Sequence, residues 1–169
     1  MPKLEYTECL SAEDISFVLH KYNHDFKKTQ IIGSSHQLYK DLVNDTVSDM
    51  RGYIFFYAYH WFCSFYISSN NKKYFITLDS LGNNLPEMYR KVILEVHKDM
   101  EFYYCPFKIQ NDSHSCGIYS LSFILIVNKK WKKENDPVDE LKKIKKGDVK
   151  NEFDKITKIL INELPPSRS

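Results

Sequence analysis

Apolar positions along this chain recur with two periods, and the switches between them mark out its elements. Ser11-Ala-Glu-Asp14 has the form of a capping box with aspartate in the glutamate position. Ile15, Val18, Leu19 and Tyr22 then follow three and four apart, which predicts an amphipathic packing helix over 12–22. Residues 23–37 are polar and read as a loop, with Ile31-Ile32-Gly33 touching the core. Leu38 to Val43 reads as a short helix or turn. Residues 53–59 are aromatic and strand-like, and His60-Trp61 interrupts or continues that strand. Residues 62–67 form a second strand, 68–73 a turn around Asn70-Asn71, and 74–78 the returning strand, closed by Asp79-Ser80-Leu81-Gly82. His60 thus opens one strand and Asp79 ends its partner. In an antiparallel hairpin those two ends meet.

Further on, Asn84 is placed to cap a helix over 85–98, with Pro86 in its first turn. Leu85, Met88, Val92 and Val96 give that helix its buried face, with Tyr89 and Ile93 beside them. Residues 102–109 are strand-like, and Pro106 points to an edge position. The polar run Gln110-Asn-Asp-Ser-His-Ser-Cys116-Gly117 then passes straight into Ile-Tyr-Ser-Leu-Ser-Phe-Ile-Leu-Ile-Val. A helix over 116–128 is apolar on most sides and is therefore expected to be central and buried. Residues 129–148 read as a charged loop around Asp136-Pro137. Val149, Phe153, Ile156 and Leu160 define a last amphipathic helix over 148–163, and 164–169 should fray.

Composition adds bounds. A chain of 169 residues fits one domain, and 43% hydrophobic with 15% aromatic residues supplies a sizeable core. No apolar run is long enough to cross a bilayer, and Met1-Pro-Lys-Leu-Glu5 lacks a signal-peptide pattern, so a soluble intracellular protein without membrane contact is expected. A net charge of +2 is too small to argue nucleic-acid binding for the whole chain. Between 129 and 158 there are eleven lysines and seven acidic residues. This reads as a solvated face, with a surface that slides along nucleic acid as the alternative. Cys9, Cys63, Cys105 and Cys116 show no zinc-like spacing and no CxxC pair, so free thiols are expected. His20, His24, His36 and His97 have no ligand spacing, and no metal or cofactor is expected.

Cys116 carries the sharpest chemistry. Ser113 or Ser115 can cap the helix that starts there, Gly117 leaves room beside the sulfur, and a helix N-terminus favours a thiolate nucleophile. Such a nucleophile needs a base, a partner that orients the base, and donors for the developing oxyanion. His60 is the candidate base, Asp79 its orienting partner, and Gln110 the oxyanion donor alongside the Cys116 N–H. Singly, each has a plainer reading: a small buried thiol, a strand histidine, a turn aspartate. His114 is a rival base and Asp112 a rival acid, but a residue two positions before the sulfur turns its ring onto it only with strain.

These residues resemble the adenain-type cysteine proteases, of one clan with the proteases of SUMO and other ubiquitin-like proteins. The resemblance rests on His60-Trp61 opening a strand, Asp79-Ser80 closing the next, and Gln110…Ser115-Cys116-Gly117 before a buried helix. The order His, Asp, Cys is that clan's. It covers roughly residues 10–128, with the basic C-terminal helical region at about 136–163 outside it. It implies an α+β fold with a papain-like central sheet, mixed and mostly antiparallel, flanked by helices. It further implies a cysteine endopeptidase that cuts after small residues, often Gly-Gly or Gly-X, with catalytic residues His60, Asp79, Gln110 and Cys116 and with Trp61 packed by the site. The short lead before the core resembles the viral branch, the maturation proteases of adenoviruses, virophages and polinton-like elements. On that branch the substrates are capsid or core precursors, the place is the host cytoplasm or viral factory and the virion, and a monomer is expected. Adenovirus enzymes are stimulated by a peptide and by DNA. The cysteine that tethers the peptide there has no convincing counterpart here, because Cys105 lies too close to Gln110. The alternatives are a protease of ubiquitin or SUMO, acyl transfer to a hydroxyl or amine as in some bacterial relatives, and an inactive binding module.

Overall fold

Ser11 starts the first helix as a capping box does. Its hydroxyl accepts from the Asp14 N–H at 3.2 Å, and the Asp14 carboxylate accepts from the Ser11 N–H at 2.9 Å. The computed structural model describes residues 6–22, 29–44, 49–106, 108–132 and 134–163. In chain order its elements are α1 (Ala12–Lys21), β1 (Thr29–Ile32), α2 (Ser35–Asn44), β2 (Met50–Tyr57), β3 (His60–Ser69) and β4 (Lys72–Leu78). They continue with α3 (Glu87–Val96), β5 (Glu101–Tyr104), α4 (Cys116–Lys130), α5 (Pro137–Lys142) and α6 (Lys146–Glu163).

The five strands form one sheet in the order β1-β2-β3-β4-β5. Its two central ladders, β2–β3 and β3–β4, are antiparallel and long, and the two outer ones, β1–β2 and β4–β5, are parallel and short. Period-2 alternation sends the strand side chains into two cores. Ile54, Trp61, Cys63, Phe65, Ile76 and Leu78 face α4, with α1 and α6 beyond it. Tyr53, Phe55, Phe62 and Phe75 face α2 and α3. The chain is thus α+β, with a mixed sheet between two helical layers, and α4 is buried along nearly its whole length.

Both central hairpins turn through two residues with positive φ, Ala58-Tyr59 (52° and 59°) and Asn70-Asn71 (51° and 63°). This is the type I′ pattern, whose twist matches that of the strands. Asparagine tolerates the left-handed region. Alanine and tyrosine enter it at a cost, and here they do so immediately before His60.

Five local expectations are corrected. The loop over 23–37 holds β1, which is too short to show a period and is held by its parallel ladder to β2. Residues 23–28 of that stretch lie outside the described residues. The helix placed at 38–43 starts earlier, at Ser35. α3 starts at Glu87 rather than 85, because Pro86 is its N-cap and the Asn84 side chain only accepts from the Leu85 N–H. With Leu85 outside the helix, the phase is set by Tyr89 and Ile93, both fully buried, and Met88 turns out to solvent. The charged segment 129–148 contains α5, started by Asp136 accepting from the Val138 and Asp139 N–H groups, with Pro137 in the first turn. The expected strand over 102–109 is shorter, Glu101–Tyr104, and does lie at the sheet edge. The fraying expected of 164–169 falls outside the described residues.

The lysines of the C-terminal region pair with carboxylates: Lys129 with Glu152 (2.8 Å), Lys130 with Asp148 (2.9 Å) and Lys143 with Glu140 (3.2 Å). Cys63 and Cys105 are buried and Cys9 is exposed, all three as free thiols, and burial pushes the Cys63 thiol well above its ordinary pKa. Among the described residues no helix is long and apolar enough to cross a membrane.

Tyr89 packs against Phe55 with ring centroids 4.7 Å apart, and its buried hydroxyl has no hydrogen-bond partner among the described residues. Leaving such a group unsatisfied costs about 1–3 kcal/mol. Tyr89→Phe is therefore expected to raise stability by about 1 kcal/mol, read as a higher urea midpoint at unchanged slope.

Candidate active site

The site forms where β4 leaves the sheet. The β3–β4 ladder runs out at Cys63–Leu78, while β2 stays paired with β3 as far as Tyr57–His60. In a two-residue hairpin the closing pair is the hydrogen-bonded one, so the next pair, Phe56–Trp61, turns its amides outward. The Trp61 N–H therefore points to the side that β4 has vacated, and there it meets the Cys116 sulfur at 3.4 Å.

Cys116 is the first residue of α4 and is buried. The first N–H groups of a helix have no intrahelical acceptor, and the positive end of the dipole lies beside the sulfur. Neither Ser113 nor Ser115 caps the helix through its side chain, contrary to expectation. Asp112 organises the turn instead. Its carboxylate accepts from the N–H groups of His114 (2.9 Å) and Ser115 (2.8 Å) and from the Ser115 hydroxyl (2.7 Å). Partial burial works against its charge, but the Ser115 hydroxyl and the two backbone N–H groups outweigh it and hold the carboxyl below its ordinary pKa. Asp112 thus shapes the loop rather than serving as an acid. His114 lies against Asp112 at 3.6 Å.

His60 reaches across from β3. Its Nε2 lies 2.6 Å from Asp79 Oδ1, and Asp79 also accepts from the Leu81 N–H at 2.8 Å. With Nε2 taken, Nδ1 remains for the Cys116 thiol, the ring's other hydrogen-bond partner. Burial disfavours the imidazolium, but the hydrogen bonds and charges of Asp79 and Cys116 prevail and raise His60 to a pKa of about 9. Gln110 is buried close by. Its Oε1 accepts from the Ser80 hydroxyl at 2.5 Å, and its Nε2 donates to the Asp112 carbonyl at 2.8 Å. Its backbone N–H donates to the Ser80 carbonyl at 2.9 Å. The structure therefore brings His60, Asp79 and Cys116 together and anchors Gln110 to the residue after Asp79.

Leu10 closes the site from the N-terminal side. Its carbonyl accepts from the Trp61 indole N–H at 2.9 Å, and its side chain lies against Gly117. A Cβ on Gly117 would meet Leu10 Cδ1 at 2.9 Å. Gly117→Ala is expected to cost about 1–3 kcal/mol of stability and to slow alkylation of Cys116, as checked by the denaturant midpoint and the iodoacetamide rate.

The family description of the YopJ Serine/Threonine acetyltransferases matches residues 11–167. The chain belongs to that family. No curated protein matches it. Among solved structures, this YopJ-family chain is similar to the ASFV pS273R protease, with 14% identity over 92% of this chain and 68% of that one, at a TM-score of 0.58. It is similar to the C-terminal Ulp1 protease domain solved in complex with Smt3, the yeast ortholog of SUMO (15% identity, 90% and 76% covered, TM-score 0.56). It is also similar to AvrA solved with IP6 and CoA (15% identity, 83% and 55% covered, TM-score 0.58). At these identities the likeness is one of fold.

In the YopJ-family chain a cleft of about 510 Å³ opens beside His60. Tyr57, Ala58, Phe62, Asp79, Leu81, Asn83, Asn84, Pro86 and Glu87 complete its lining. It holds two carboxylates and no lysine or arginine. Among the described residues no group of three or more His, Cys, Asp or Glu side chains could hold a metal ion.

Sequence reasoning missed three parts of this family member's site: Ser80, Asp112 as a structural group, and Leu10. Ser80 had a readable signal in its place beside Asp79. Leu10 had none, because its role depends on a close approach across the fold.

Proposed function

We propose that this protein is a cysteine endopeptidase that works through a thioester on Cys116. The observation that supports it is His60 set between the Asp79 carboxylate and the Cys116 sulfur at the start of α4. The thiolate attacks the substrate carbonyl and forms the carbon–sulfur bond. The imidazolium of His60 gives its proton to the leaving amine, and Asp79 keeps the ring oriented. Water, with His60 as base, resolves the thioester. N–H groups at the head of α4 and the Gln110 amide take the oxyanion. The substrates fitting this reading are proteins cut after small residues, with capsid or core precursors as the first candidates and a ubiquitin-like modifier as the next. The fold shared with a viral protease and with a SUMO protease supports both.

Family membership favours a second reading, transfer of an acetyl group to serine or threonine hydroxyls. It begins with the same thioester and differs in donor and acceptor. The cleft beside His60 weighs for a peptide, because Glu87 faces no lysine or arginine in its lining and would repel a phosphate-bearing carrier such as CoA. The deciding experiment offers the protein, in parallel, a capsid precursor, ubiquitin and SUMO probes with electrophilic C-termini, and acetyl-CoA with a serine-containing protein. Cleavage or probe labelling at Cys116 supports the peptidase. Acetylation of hydroxyls with no cleavage replaces it by the transferase.

A further inference from the structure

The tip of the β2–β3 hairpin is the most exposed aromatic feature among the described residues. Phe56 and Tyr57 are about two-fifths exposed, and Tyr59 is 94% exposed. Aromatic side chains exposed together at one place mark an interaction site. Here the tip is built at a cost, since Ala58 and Tyr59 both sit at positive φ. It is also continuous with the reactive sulfur. The Trp61 N–H is on Cys116, Phe56 packs on Trp61 with centroids 4.7 Å apart, and Tyr59 meets Phe56 edge-on at 6.5 Å. On the other face of the same turn, Tyr57 and Ala58 join His60 and Glu87 in lining the cleft.

Resting on the thioester chemistry proposed above, we infer that this tip and cleft bind the amine side of the substrate, the segment that leaves or arrives on nitrogen, and that they select apolar, aromatic or basic side chains there. The reason is positional. The amine must meet the His60 imidazole to exchange its proton, so the chain attached to that amine lies over His60. Tyr57 and Ala58 form the wall of the cleft beside His60, so that chain passes along the tip. The tyrosines offer apolar faces. Glu87 disfavours an acidic side chain and suits a cation, while the Asp79 charge is taken up by His60.

The test uses the full chain and p-nitrophenyl acetate. The Cys116 thiolate takes the acetyl group, forming a C–S bond as p-nitrophenolate leaves, and the burst counts acylated enzyme. An amino-acid amide then attacks the thioester through its amine. The C–N bond forms, the C–S bond breaks, the thiolate departs and His60 takes the amine proton. For the wild type, phenylalaninamide, leucinamide and argininamide should consume the acetyl-enzyme about tenfold faster than aspartamide, the scale of one aromatic contact. In Tyr57→Ser and Tyr59→Ser that preference should shrink to about twofold or less, and Glu87→Lys should turn it toward aspartamide. Tyr39→Ser, an exposed tyrosine on α2, should leave it unchanged. Equal rates for all four amides in the wild type, or a preference that survives all three substitutions at the tip and cleft, would overturn the inference. Absence of any burst overturns the nucleophile assignment itself, and this inference with it.

Discussion

Cys116→Ala is expected to abolish acyl-enzyme formation, a loss on the order of a million-fold, with the fold retained. In the proposed mechanism the sulfur is the nucleophile, so its removal leaves His60 with no thiol to activate. Its removal from a buried position leaves a small gap at the head of α4. The expected cost is the modest one of a single lost heavy atom, far below that of a truncated leucine. The check pairs two measurements on the same preparation: the p-nitrophenolate burst and the thermal midpoint. Burst-level activity in the alanine variant would show that another group is the nucleophile. Lost activity with a collapsed midpoint would mean that the thiol is there for packing.

His60→Ala should cost nearly as much, and Asp79→Asn about tenfold to a hundredfold less, since an orienting carboxylate leaves the proton-transfer group in place. The pH profile separates these roles. With His60 at about 9, the imidazolium that protonates the leaving amine is present below that pH and lost above it, so activity should fall as pH rises through about 9. Asp79→Asn removes a principal cause of the raised value. Its alkaline limb should move to lower pH by about 1–3 units. The same raised value makes a statement about stability. A group that is more basic folded than unfolded stabilises the fold fully below its unfolded pKa of about 6.5, and that contribution disappears as pH climbs through about 9. A limb that stays fixed in Asp79→Asn would assign the raised value to something other than this pair.

How much of this was legible in the sequence depends on how far each interaction reaches. The meeting of His60 and Asp79 could be read from a strand, an asparagine turn and a returning strand, because hairpin register is fixed locally. The buried course of α4 could be read from an apolar run with no polar stripe. The capping box at Ser11 was complete within four residues. By contrast, β1 is defined by its ladder to Gly52–Phe55, which no local pattern announces. The buried face of α3 was misplaced because one proline moved its start and so its phase. At the site, the turn before Cys116 was assigned to serine caps, yet Asp112 holds it. A short polar run offers several competing side chains, and only the backbone path selects among them. Gln110 was proposed from its place six residues before Cys116, whereas its tether to Ser80 joins residues thirty apart in sequence.

Asp79 and Ser80 are adjacent, and one steadies the imidazole while the other steadies the glutamine. A single deleted residue just before them would set a hydroxyl where His60 needs a carboxylate, and would leave Gln110 without its anchor. Proton handling and oxyanion support would then fail together, however intact the scaffold. A descendant of this chain could fall silent in one frame-preserving step, and its outline would give no sign of it.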